Sequence, residues 1–290
     1  MAIATNKAVI SFAGGSLARR LGLSVQDATT SFSVDASHAV AGGGLLNPDQ
    51  EGKRYSKTIS LDSLKDVDHV VLWVGTNDLF AHQKEGKHVT DITLFKNKGN
   101  RNQFSKKLSE FLISYNGKTV WIVGLIPRYL NISCCDKHKV GEDTKTEVLN
   151  LVKVVNIDIS RKANYFSKNG KNVSFVNPEE LANTSSLDWT TALDRDSIHL
   201  TREMNETFAD NMRKIISAHL DKQQCLTEGK KSPVPCQWNE GHFPSCYMLP
   251  TIKVRGHLPL LATSFEVIIH KSYLPLRVYR TDGNKIRQMV

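Results

Sequence analysis

Four short segments of this chain carry residue types that can do acyl-transfer chemistry. Phe12-Ala13-Gly14-Gly15-Ser16-Leu17 places a serine directly after two glycines. Paired glycines allow a tight strand-to-helix turn, and a helix start offers N–H groups and a positive dipole end around that serine. Taken alone, the segment favours a simpler role, because N-capping is serine's commonest job at a helix start. A phosphate-binding loop is disfavoured, since no Lys-Ser/Thr pair follows the glycines. Val40-Ala41-Gly42-Gly43-Gly44-Leu45 either marks a turn or lets a backbone N–H approach a ligand closely. In Val74-Gly75-Thr76-Asn77-Asp78 the asparagine is a common turn residue. Its amide can equally donate into a cleft, as oxyanion-hole side chains do. In Asp196-Ser197-Ile198-His199 an Asp three residues before a His can orient the imidazole and hold its tautomer. Alone, that spacing more often belongs to a surface or a cap. Together the four supply a nucleophile in Ser16, a base in His199, an orienting carboxylate in Asp196 and N–H donors for an oxyanion, which completes an acyl-transfer site.

Such groups must be held at one edge of a scaffold. Ala8–Phe12, His69–Val74, Thr119–Gly124 and Val173–Val176 are short, β-branched and nearly continuous apolar runs, as expected of strands buried on both faces of a parallel sheet. Helical spacing lies between and after them, in Gln103–Tyr115 (Phe104, Leu108, Phe111, Leu112), Thr144–Phe166 and Arg202–Leu220 (Met204, Phe208, Met212, Ile215, Ile216). The alternation predicts a three-layer α/β/α sandwich with right-handed crossovers. Open sheets of this kind form their sites at the carboxyl ends of the strands, where the first and third segments fall.

The chain has 290 residues, 40% hydrophobic and 23% charged, enough to bury a sizeable core. Its longest apolar run, Val120–Ile126, is far short of the ~20 residues of a membrane-spanning helix, and the N-terminus lacks the pattern of a signal peptide. A cytoplasmic protein is expected. The odd number of cysteines, five, with no Cys-x-x-Cys pair, fits a reducing compartment rather than a disulfide framework. Asn131, Asn172, Asn183 and Asn205 match the glycosylation sequon, but without a secretory signal none is expected to be used.

The order of the four segments resembles the block signature of the SGNH hydrolases, or GDSL lipase/esterase family, over residues 8–220. Gly14-Gly15-Ser16-Leu17 is similar to the first block, the glycines at 42–44 to the second, Gly75-Thr76-Asn77-Asp78 to the third and Asp196-Ser197-Ile198-His199 to the last. The resemblance implies a flavodoxin-like parallel sheet and a serine esterase acting on a small ester or acyl substrate. Ser16 would be the nucleophile, His199 the base and Asp196 its orienter. The oxyanion hole would comprise the N–H groups of Ser16 and of Gly42 or Gly43, with the Asn77 amide. Neither a metal nor an organic cofactor is implied. Ile126-Pro127-Arg128, Val155-Asn156 and Asp196-Ser197-Ile198-His199-Leu200 also resemble the esterase-type domains encoded by some non-LTR retrotransposons. One position departs from the family pattern: the first block normally reads Gly-Asp-Ser, and here Gly15 replaces the Asp, whose carboxylate usually helps shape the nucleophile turn.

That departure, with a net charge of +9, keeps a second function open: a weakened SGNH-fold module that binds nucleic acid through a basic surface. The charge is concentrated near the end, where residues 221–290 hold 10 Lys/Arg against 5 Asp/Glu and six of the nine prolines. A boundary near Leu220 and a loosely structured, basic tail over 221–290 are expected from this. Cys225, Cys236, His242 and Cys246 offer zinc-ligand types there, but their spacings match no standard finger or knuckle.

Overall fold

The structure is a computed structural model describing residues 7–29, 31–46, 57–60, 62–84, 87–90, 92–115, 117–129, 141–184, 187–227, 252–257, 264–269, 278–282 and 285–289. Side chains are described for these except at 28, 81–84, 87–89, 94, 225–227 and beyond 251. Asn131, Cys134, Cys135, Cys236, His242 and Cys246 therefore lie outside the described residues, as does the Cys225 side chain.

The chain divides into two compact units, Met1–Lys230 and Lys231–Val290. The first is built on five parallel strands: β1 (Val9–Gly14), β2 (Ser33–Asp35), β3 (His69–Trp73), β4 (Thr119–Val123) and β5 (Asn172–Val176). Their spatial order is β2-β1-β3-β4-β5, the flavodoxin-like arrangement, whose switch point lies between β1 and β3. The central strands are apolar on both faces because helices cover both: Ile10, Phe12, Val70, Leu72, Val120 and Ile122 are fully buried.

Helix α1 (Ser16–Ala28) follows β1 and packs on α7 (Arg202–Thr227), while α3 (Lys98–Ser114) packs on α4 (Glu142–Lys168). In α1, Leu17, Ala18, Leu21 and Val25 form the buried stripe, and in α7 Phe208, Ala209, Met212 and Ile216 do so. Phe208 also stacks on Trp73 at the end of β3, with centroids 6.0 Å apart. Helix α3 begins five residues before the apolar spacing suggests. Asn97 caps it by accepting the Gly99 N–H at 2.8 Å, and its first turn is polar. Further short helices among the described residues are α2 (Thr76–Leu79), α5 (Pro178–Leu181), α6 (Trp189–Ala192) and the five-residue Ile92–Lys96. Among the described residues no helix is long and apolar enough to cross a membrane.

The second unit contains a four-stranded antiparallel sheet of Ile252–His257, Ser264–Ile269, Val278–Asp282 and Lys285–Met289, in that order.

Candidate active site

The β1–α1 turn delivers Ser16. Gly15 takes the N-cap position with no side-chain capping bond, which leaves Ser16 as the first helical residue. Its hydroxyl lies 2.7 Å from His199 Nε2, across 183 positions of sequence. The local preference for a capping serine thus gives way to a long-range contact. The other imidazole nitrogen, Nδ1, is 2.5 Å from Asp196 Oδ2. Ser16, His199 and Asp196 therefore form one continuous hydrogen-bonded line, with His199 in the middle and only 15% of its side chain exposed.

The loop between α6 and α7 holds the His–Asp pair in place. Leu193 bridges Leu200, and Asp194 N–H donates to His199 O at 2.7 Å, which closes the loop at its base. Ser197, between the pair, sits at φ +55°, the tight corner that turns Asp196 back toward His199. Asp196 Oδ1 accepts the backbone N–H groups of Ile198 and His199, both at 2.9 Å. Burial works against the Asp196 charge, but the His199 hydrogen bond and these two N–H groups outweigh it and hold the carboxyl below its usual range. The carboxylate stays ionised at neutral pH.

The two remaining segments meet beside Ser16. Val40 N–H donates to Gly14 O (3.0 Å) and Gly43 N–H turns back to Val40 O (2.8 Å). The glycine run is thus a turn, and it also packs closely on the β1–α1 connection, because a Cβ on Gly43 would lie 2.2 Å from Gly14 O. Asn77, second residue of α2, donates its amide to Gly43 O at 3.0 Å. The amide has a second N–H in reserve.

Three positioning groups escaped the sequence reading. Asp78, 1% exposed, accepts Leu46 N–H on Oδ1 (2.7 Å) and Gly75 N–H on Oδ2 (2.9 Å), so it fastens the glycine loop to the turn that carries Asn77. Its presence in the third segment was the available signal. Tyr129 N–H donates to Ser197 O (2.9 Å), tying the chain after β4 to the His–Asp loop. On α4, Asn156 both accepts Leu125 N–H (2.7 Å) and donates to Leu125 O (2.9 Å), which clamps the chain just before Ile126-Pro127-Arg128. Asn156 of the Val155-Asn156 motif is thus bound to the residue that precedes the Ile126-Pro127-Arg128 motif. Arg128 itself is 4% exposed and donates to Thr90 Oγ1 at 3.3 Å; burial pushes its guanidinium down to about 10, opposed by the negative charge of Asp196. No group of three or more metal-ligating side chains is placed to hold an ion among the described residues.

A five-stranded parallel sheet with this Ser–His–Asp line at its carboxyl edge defines an SGNH-type α/β hydrolase fold. The chain belongs to the GDSL-like lipase/acylhydrolase family, which matches residues 4–212, and that family is one of hydrolases. No curated protein matches the sequence. Among solved structures, the chain is similar to the inhibitor-bound aryl esterase of M. smegmatis (14% identity, TM-score 0.43, covering 73% of this chain and 99% of that one). It is also similar to the Clostridium thermocellum family 3 carbohydrate esterase (17%, TM-score 0.41, 72% and 94%) and to a GDSL-like lipase from Bacteroides thetaiotaomicron (14%, TM-score 0.42, 76% and 91%).

Proposed function

We propose that this protein is a serine ester hydrolase that works through an acyl-enzyme on Ser16. The observation that carries this reading is the unbroken line from Ser16 Oγ through His199 to Asp196, at 2.7 and 2.5 Å. Neutral His199 holds its proton on Nδ1, against the Asp196 carboxylate, and leaves Nε2 free to accept one. Ser16 Oγ attacks the ester carbonyl while its proton passes to Nε2. The carbonyl π electrons move onto oxygen, and this oxyanion is met by the Ser16 N–H, the Gly42 N–H and the second N–H of Asn77. Gly42 is preferred over Gly43 because Gly43 N–H is already given to Val40 O. Collapse of the tetrahedral adduct breaks the ester C–O bond, and the alkoxide leaves with the proton from Nε2. Water, deprotonated by the same nitrogen, then releases the acid and restores Ser16. Ion pairing with Asp196 stabilises the imidazolium formed in each half-reaction.

The test is labelling with a fluorophosphonate probe, together with hydrolysis of short-chain p-nitrophenyl esters. Wild type is expected to label and to turn over, and Ser16→Ala and His199→Ala to lose turnover while remaining folded. Labelling or turnover that persists in Ser16→Ala rejects Ser16 as the nucleophile.

A further inference from the structure

Gly15 stands where the family's first block normally carries Asp. Its backbone, at φ −86° and ψ −163°, is in the extended region open to any residue, so the dihedral angles do not call for glycine. Space does. A Cβ built on Gly15 falls 2.7 Å from Asn77 Nδ2 and 3.4 Å from Gly43 O, the donor and acceptor of the 3.0 Å hydrogen bond that holds the Asn77 amide. Favourable contacts between heavy atoms begin at about 3.5 Å, so a side chain at position 15 obliges the amide to shift.

We propose that Gly15 is a positioning residue for Asn77: the missing side chain is the space in which the amide binds Gly43 O and presents its second N–H to the oxyanion. The departure from the family pattern is then a requirement of this site, and restoring the family's Asp lowers activity. For activity the inference rests on the ester-hydrolase reading; for geometry it does not. What yields to an added Cβ is the end of the Asn77 side chain, because its backbone is anchored by the neighbouring Asp78, bound to Gly75 N–H and Leu46 N–H. The fold is therefore little disturbed and the amide is displaced. Loss of one oxyanion donor costs on the order of 10²–10³ in kcat, and a misplacement of about 1 Å about 10².

The experiment compares Gly15→Ala, Gly15→Asp, Asn77→Ala and the Gly15→Ala/Asn77→Ala pair. Expected are a kcat about 10²-fold below wild type for Gly15→Ala, a value no higher for Gly15→Asp, and a pair no slower than Asn77→Ala alone. Wild-type turnover in Gly15→Ala, or losses that multiply in the pair, overturns the proposal. A second readout needs no turnover: the side-chain amide signals of Asn77 in a ¹⁵N-labelled protein, assigned by their loss in Asn77→Ala. These must move in Gly15→Ala; signals left in place overturn the proposal whatever the activity. Signals that move in a protein without esterase activity uphold Gly15 as a positioning residue and reject only the ester-hydrolase reading. If Gly15→Ala fails to fold, the pair, which restores the room, is expected to fold; a pair that also fails counts against the proposal.

Discussion

Replacing Asp78 with alanine removes a buried carboxylate that joins two backbone segments of the candidate site. Its oxygens accept Leu46 N–H at 2.7 Å and Gly75 N–H at 2.9 Å, and the residue is 1% exposed, so water cannot take its place without rearrangement. Hydrogen bonds to a charged group contribute about 1.5–3 kcal/mol each, so two of them amount to about 3–6 kcal/mol. That is a large share of the roughly 5–15 kcal/mol that holds a domain folded. Urea unfolding followed by tryptophan fluorescence measures it, because Trp73, Trp121 and Trp189 are all buried in the first unit. With a slope of about 3 kcal/mol per M, the midpoint falls by about 1–2 M at unchanged slope. Asp78→Asn keeps one acceptor oxygen and turns an amide donor toward the other N–H, so it should fall about half as far. An Asp78→Ala midpoint equivalent to less than 1 kcal/mol of loss would falsify the claim that this carboxylate holds the 42–46 and 75–79 segments together.

Two further outcomes are expected. Asn156→Leu leaves both the N–H and the carbonyl of buried Leu125 without their side-chain partner, which costs about 2–4 kcal/mol in the same unfolding assay; an unchanged midpoint would show that the clamp is not needed. The second concerns acid. His69 and His219 flank Trp121, with centroids 6.1 and 5.2 Å away, and burial pushes both imidazoles below their usual range. The unfolded chain binds these protons more readily than the folded one, so stability is full above pH 6.5 and falls as the pH drops from there through the lowered folded values. Thermal midpoints measured from pH 8 to pH 5 should decline less steeply in His69→Gln/His219→Gln than in wild type, and parallel curves would refute the assignment.

What could be read from the sequence depended on whether side-chain type was under physical constraint. β1, β3 and β4 were legible because a strand covered on both faces is apolar along nearly its whole length, and β5, the other edge strand, through its buried Val173 and Val176. β2 was not, because an edge strand of three residues with none of them buried carries no such demand. The line of Ser16, His199 and Asp196 was legible for a related reason: the proposed chemistry restricts a nucleophile, a base and its orienter to few residue types, and the parallel topology restricts where they fall. Asp78, Asn156 and Tyr129 act instead on backbone groups. A backbone N–H or carbonyl exists at nearly every position, so nothing in the spacing of these residues reveals which one they hold. Gly15 marks the far end of that scale. Its importance lies in an atom it lacks, and only the position of Asn77, brought beside it by the short helix after β3, makes that absence legible. Under the proposed mechanism the same argument ranks the site's expected sensitivity: Ser16, His199 and Asp196 to a change of type, Gly15 to a change of volume.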